Sequence, residues 1–142
     1  MTRLCVLPIL VAALVFAGVP KGLSANAGDA AAAGVDQAVL KDARQAGIRY
    51  GQAAGVAAVC YNMQATAKAE GLVAAFSGPD LDTFKRQAET VLKSWKKTLT
   101  CAHTNDPNPC RLAHQMSCRE AYREIGPNGT IVSGLVELKP AQ

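Results

Sequence analysis

Cysteine and histidine are the residues of this chain whose types and spacing could do chemistry. Five of them lie close together along the chain: Cys101, His103, Cys110, His114 and Cys118. Thiolate sulfur and imidazole nitrogen suit zinc or copper, and a cysteine beside a histidine can form a thiol nucleophile. These two chemistries have to be weighed against plain disulfide bonding.

The spacing of these residues argues against a structural zinc site. The chain has no Cys-x2-Cys pair, which is the usual arrangement of ligands in such sites. On one helix Cys110 and Cys118 would stand about 12 Å apart, too far for one ion to bridge. We therefore assign no metal and no cofactor. A metal-binding or redox protein that uses His103, His114 and part of the Cys101, Cys110 and Cys118 cluster is the alternative.

Motifs of catalysis are missing from the sequence. There is no G-x-S-x-G, no glycine-rich phosphate loop and no H-E-x-x-H. Asp80 and Asp82 lie at a predicted helix start, where carboxylates are favoured by capping and by the helix dipole alone. We predict no catalytic residue and a protein that is not an enzyme.

Residues 1–27 have the layout of a secretory signal peptide. A positive start at Arg3 precedes an apolar run over residues 4–18, and Ala25 and Ala27 supply small residues for cleavage after Ala27. The alternative is an uncleaved anchor, but the run has 15 residues and a membrane span needs about 20. We expect a mature single domain over residues 28–142, exported to the periplasm or secreted, without an integral membrane span.

The charge of the mature chain argues against a nucleic-acid partner. The 142 residues carry 15 basic and 11 acidic side chains. Cleavage would remove Arg3 and Lys21, so that the net charge falls from +4 to +2. Phosphate binding rests on many clustered basic residues, whereas the one basic cluster here, Lys93, Lys96 and Lys97, is typical of a solvated helix face.

Four cysteines remain after cleavage, and an even number in a small exported domain indicates two disulfides. A Cys110–Cys118 bond is excluded if both lie on one helix, because about 12 Å exceeds the Cα–Cα range of roughly 4.4–6.8 Å. A turn at residues 104–109 would place Cys101 opposite Cys110. We predict the pairs Cys101–Cys110 and Cys60–Cys118, with Cys60–Cys110 as the pairing that would refute them.

Three helical regions are predicted. Residues 37–76 are rich in alanine, which favours helix, either as one long helix or as two segments with a bend near Gly47, with Asp36 as a cap. Residues 81–99 give the clearest amphipathic pattern. Its apolar stripe comprises Leu81, Phe84, Ala88, Val91, Leu92, Trp95 and Leu99.

The third helix is predicted over residues 109–125, with Pro109 at its first position and Gly126 at its end. Its broad inner face comprises Cys110, His114, Cys118, Ala121, Tyr122 and Ile125. Residues 130–138 are apolar and partly β-branched, but no second strand is evident, and a lone strand forms no sheet. We expect an extended tail over the helices, or a short hairpin at most.

Gly47, Gly51 and Gly55 repeat every four residues and form one stripe on the first helix, here called the glycine stripe. Such a stripe lets another helix approach closely. We expect a packing seam within the domain, with a homodimer through the same three glycines as the second possibility.

The predicted fold is all-α: a small bundle of three to four helices with an extended C-terminal tail, joined by two disulfides. The leading functional hypothesis is a non-enzymatic binding or structural module that acts on an unknown protein or small-molecule partner. An apolar groove left open between the packed helices would favour it.

Overall fold

The computed structural model describes residues 36–99, 101 and 105–141. The predicted signal peptide, His103 and the side chain of Leu99 lie outside the described residues. The helices of the described part are α1 (Ala43–Val59), α2 (Ala67–Gly71), α3 (Gly78–Leu99) and α4 (Pro107–Ile125), and the strands are β1 (Met63–Ala65) and β2 (Val136–Leu138). A short helical segment over residues 36–41 precedes α1, and a 3-10 helix, Leu72–Ala75, follows α2.

Helix α1 starts at an aspartate cap and ends at a cysteine. The Asp42 carboxylate accepts a hydrogen bond from the Gln45 N–H at 2.7 Å, which satisfies a first-turn donor. The chain therefore bends at Asp42, and the expected bend near Gly47 is wrong, as helix continues through that glycine. Asp36 does not cap α1; its carboxylate accepts hydrogen bonds from the Ser133 N–H and hydroxyl at 3.0 and 2.7 Å.

The glycine stripe packs against α3. A Cβ atom on Gly47 would lie 2.4 Å from the carbonyl oxygen of Phe84, and one on Gly51 would lie 2.5 Å from that of Ala88. The two backbones therefore meet with no room for a side chain, and the predicted seam within the domain is confirmed. The three glycines are buried under α3. A homodimer through them stays a prediction.

The apolar stripe of α3 forms one wall of the core. Phe84 is fully buried, and its ring centroid lies 5.3 Å from those of Tyr50 and Phe76. Burial decreases along the helix until Trp95, which is half-buried. The predicted amphipathic helix is thus confirmed, and it begins three residues earlier than expected, at Gly78.

A two-stranded antiparallel sheet joins the segment after α1 to the C-terminal tail. Met63 pairs with Leu138, and Ala65 pairs with Val136. The expectation that β2 has no partner is wrong, because β1 lies inside the region predicted to be helical. The Thr66 side chain then accepts a hydrogen bond from the Ala69 N–H and starts α2.

The C-terminal tail packs against the helices, as expected, and part of it is buried. Val132, Leu135 and Val136 are fully buried. The amides of residues 130, 131 and 135 donate to carbonyls of residues 123, 124 and 125 at 2.9–3.0 Å. These bonds satisfy the otherwise unpaired carbonyls at the end of α4. The tail is therefore part of the core, and it fixes the C-terminal end of this helix.

Candidate functional site

The loop between α3 and α4 is closed by the predicted Cys101–Cys110 disulfide, with its Cα atoms 5.7 Å apart. Helix α4 begins earlier than expected, because Asp106 is its cap and its first position is Pro107 rather than Pro109. The Asp106 carboxylate accepts a hydrogen bond from the Asn108 N–H at 3.1 Å. A capped start and a covalent bond together fix this end of α4.

The second disulfide, Cys60–Cys118, joins the end of α1 to the body of α4. Its Cα atoms lie 5.8 Å apart across a sequence separation of 58 residues. Cys60 is the residue at which α1 ends, and the two residues are 4% and 8% exposed. The predicted pairing is present, and the bond is largely shielded from water.

His114 lies beside this buried disulfide. A ring nitrogen of His114 and the sulfur atoms of Cys60 and Cys118 all lie within 4.8 Å of one another. His114 and Cys118 are one helical turn apart on α4, so they share a face, and His114 is half-buried. The structure therefore groups His114 with Cys60, which the sequence-based alternative did not include. Cys110, which it did include, is bonded to Cys101.

A groove of about 500 Å³ lies between α1, α3 and α4. Trp95 packs against Gly55 at its inner side, while Met116 is 62% exposed. The residues that line it are Gln52, Trp95, Met116, Ser117, Glu120, Ala121 and Glu124. We call it the Trp95 groove. Trp95, predicted to belong to the core, thus both contacts the core and borders a surface groove.

A partly buried polar network lies along one side of the Trp95 groove. The Gln52 amide donates to the Glu124 carboxylate at 2.7 Å. The Arg49 guanidinium donates to the Gln52 side-chain oxygen at 2.8 Å and to Glu124 at 3.4 Å. The Glu124 carboxylate is consequently held in place by two donors from α1.

Glu120 supplies a second carboxylate to the Trp95 groove. The side-chain hydrogen bond from Arg123 lowers the pKa of Glu120; desolvation opposes this effect, and the positive charge of Arg123 makes a smaller contribution in the same direction as the hydrogen bond. A lowered pKa keeps this carboxyl ionised at neutral pH. The groove therefore combines an apolar wall with two carboxylates.

A wider groove of about 890 Å³ lies where α1 ends and β2 ends. Tyr61 is 89% exposed there. The residues that line this groove are Ala57, Ala58, Val59, Cys60, Tyr61, Asn62, Leu138, Lys139, Pro140 and Ala141. Because Cys60 is one of them, this groove borders the buried disulfide.

Sequence reasoning did not identify the Arg49, Gln52 and Glu124 network. A signal was present, because Arg49 and Gln52 are polar residues three positions apart within the alanine- and glycine-rich helix. Buried polar groups need partners, so their presence predicts a polar partner on another element. Which element supplies it follows from the fold and not from the spacing.

Within the described residues, no helix is long and apolar enough to span a membrane. The chain was compared with protein-family models, with curated proteins and with solved structures, and none of them matches it. The geometry of the grooves and of the disulfide cluster is therefore the basis for a functional conclusion.

Proposed function

We propose that this protein is a small, non-enzymatic binding module that holds its ligand in the Trp95 groove. The observation that supports this proposal is the meeting of a half-buried indole, an exposed methionine and two carboxylates in one groove. Trp95 and Met116 offer apolar contact, and Glu120 and Glu124 offer carboxylate oxygens, which Arg123 and Arg49 already pair in the free protein. The ligand that fits is one with an apolar group beside a cationic group.

A short segment of peptide with a leucine next to a lysine meets these requirements. The volume of the groove falls within the range of roughly 300–1,000 Å³ typical of ligand sites. The leucine would pack on Trp95 and Met116, and the ammonium group would bind the carboxylate of Glu120 or Glu124. That nucleic acid is not a partner stays a prediction.

The two disulfides indicate an oxidising environment. Together with the apolar N-terminal run, they support the proposal that the protein is exported to the periplasm or secreted. A module exported in this way would meet its ligand outside the cytoplasm. That the protein is not an enzyme stays a prediction.

The proposal can be tested by fluorescence, because Trp95 is the single tryptophan of the chain. The probes are two capped tripeptides, Leu-Lys-Leu and Leu-Glu-Leu. We expect the lysine peptide to change the emission of Trp95 saturably and the glutamate peptide to bind more weakly, because only the former places a cation beside the carboxylates.

Two substitutions on α4 provide a matched control. Met116 and Leu112 lie one helical turn apart and are 62% and 60% exposed, but only Met116 lines the groove. We expect Met116→Lys to weaken binding of the lysine peptide about tenfold or more and Leu112→Lys to leave it unchanged. The proposal is wrong if the lysine peptide causes no saturable change, or if both substitutions weaken binding equally.

A further inference from the structure

The buried disulfide and the histidine beside it form a cluster of three soft metal ligands. Both sulfur atoms and a ring nitrogen of His114 already lie within 4.8 Å of one another. We infer that reduction of the Cys60–Cys118 disulfide creates a zinc site with the ligands Cys60, Cys118 and His114. Two thiolates, one imidazole and one open position are a known ligand set for zinc. This site uses no residue of the Trp95 groove.

The chemistry of the switch balances with a dithiol as the reductant. The dithiol gives two electrons and two protons to the S–S bond, becomes a disulfide itself, and leaves Cys60 and Cys118 as thiols. Zinc then displaces the two thiol protons into solvent and accepts a lone pair from the neutral imidazole of His114. In the reverse reaction a small-molecule disulfide accepts two electrons from the thiolates and two protons from solvent and becomes a dithiol, the Cys60–Cys118 bond forms again, and zinc is released.

The geometry requires only local movement. Zinc–sulfur bonds of about 2.3 Å in a tetrahedral site separate the two sulfur atoms by about 3.8 Å. The Cα atoms of Cys60 and Cys118 lie 5.8 Å apart, so once the bond is broken, rotation of the two side chains can move the sulfur atoms to this separation. His114 and Cys118 need no rearrangement of the backbone, because residues at i and i+4 share one helix face.

The charges of the proposed zinc site cancel, which suits the buried position of Cys60 and Cys118. Cys60 and Cys118 are less than 9% exposed, and an isolated charge at such a place is costly. Two thiolates neutralise a divalent zinc ion, and the imidazole adds a ligand without a charge. Zinc therefore gives the reduced pair a neutral state, and it keeps α1 joined to α4 when the covalent bond is absent.

The test uses the full chain with Cys5, Cys101 and Cys110 replaced by alanine, so that Cys60 and Cys118 are its only thiols. The protein is reduced with a phosphine, which is then removed, and titrated with zinc in competition with a coloured chelator. We expect one equivalent of zinc to bind to the reduced protein and none to the oxidised protein. Cobalt in place of zinc should give a thiolate-to-cobalt charge-transfer band.

The two histidines of the chain provide the matched control in this background. We expect His114→Gln to weaken zinc binding about tenfold or more, because even loss of an outer-shell partner costs 10–100-fold, and to change the cobalt spectrum. His103→Gln should leave both unchanged. The inference is overturned if the reduced protein does not bind zinc, if the oxidised protein binds it equally, or if the two variants behave alike.

If reduction unfolds the chain, the helical signal in circular dichroism provides a second measurement of zinc binding. In that case zinc should restore the helical signal in the His103→Gln variant but not in the His114→Gln variant, since binding and folding are then coupled. Failure of zinc to restore helix in either variant also overturns the inference. Peptide binding by the oxidised wild-type protein is independent of this outcome, so failure of one proposal is distinguishable from failure of the other.

Discussion

Helix α1 contacts its two long neighbours in different ways. It meets α3 along the glycine stripe, where backbone touches backbone and no Cβ atom would fit, and this is the most extensive contact between described helices. It meets α4 much more sparingly, through the Cys60–Cys118 bond and the polar network around Glu124. The contact between α1 and α3 depends on close backbone packing, and the contact between α1 and α4 depends on one disulfide and a few side-chain hydrogen bonds.

The difference explains where the Trp95 groove forms. Along α4, burial increases from the exposed Leu112 and Met116 to the fully buried Ile125. The first half of this helix therefore contributes little to the core, and covalent bonds hold it in place. Space for a ligand remains beside Trp95 because α4 is held near α1 without being packed tightly against it.

Removal of a disulfide should show how strongly α4 depends on covalent bonds. We expect Cys60→Ala with Cys118→Ala to lower the free energy of unfolding by about 4 kcal/mol, and Cys101→Ala with Cys110→Ala to lower it by roughly 2.5–3 kcal/mol, because the first bond closes a longer loop. Urea denaturation of both double variants measures this. Equal losses would contradict the loop-length argument, and no loss would show that packing alone holds α4.

The glycine stripe should be sensitive to the smallest side chain. In Gly51→Ala the new Cβ would lie 2.5 Å from the Ala88 carbonyl oxygen and 2.9 Å from its Cα atom. We expect overpacking of this kind to lower the free energy of unfolding by about 1–3 kcal/mol, a loss that the better helix propensity of alanine offsets only in part.

Gly71 provides the matched control for that substitution. A Cβ atom there meets no other atom within 4 Å, and its φ of −66° suits alanine. Gly71→Ala should raise the free energy of unfolding by about 0.4–1 kcal/mol. If urea midpoints move in the same direction for both variants, the α1–α3 contact is not limited by space.

Sequence patterns predicted the parts of this fold that rest on long, regular signals. The stripe over residues 81–95 defines α3. Geometry along α4 excludes Cys110–Cys118, and the turn at residues 104–109 selects the observed pairing from the two that remain. Strand β1 was not predicted, because three residues are too few to show alternation and they follow an alanine-rich helix without proline. Without β1, the sequence predicts an extended tail in place of β2.

The site was less predictable than the fold. His114 was a candidate ligand from its residue type, but its proximity to Cys60 depends on where α1 ends. The alanine-rich run gives no sign of that end, since Tyr61 and Asn62 continue it without a strong helix breaker. Asn62 has a φ of 61°, a conformation that asparagine tolerates and that only the structure reveals.

The partly buried Glu124 carboxylate should contribute more to the free energy of unfolding than a carboxylate in an exposed ion pair. In Glu124→Gln, Arg49 loses its charged partner while both side chains remain mostly buried, 19% and 24% exposed. We expect the free energy of unfolding to fall by about 1–2 kcal/mol. Glu89→Gln removes the exposed pair with Lys93 at 2.7 Å and should cause no resolvable change. Similar urea midpoints for the two variants would contradict a structural contribution of the network.

The smallest effect is expected at Glu120, whose only described ionic partner is Arg123 on the same helix. Its pKa is lowered chiefly by the hydrogen bond from Arg123, so Arg123→Gln should raise it toward the ordinary glutamate value. Carboxyl carbon NMR across a pH titration measures this, with Glu89 as the internal control because Lys93 lowers its pKa independently.

A folded-state pKa below the unfolded one stabilises the fold above the unfolded pKa, and this stabilisation is lost as pH falls through the folded pKa. Because Glu120 and Arg123 are exposed, we expect a shifted titration curve with no resolvable change in the urea midpoint at neutral pH. An unchanged pKa would show that Arg123 does not control this carboxylate, and a lowered midpoint would show that the pair helps to hold α4 after all.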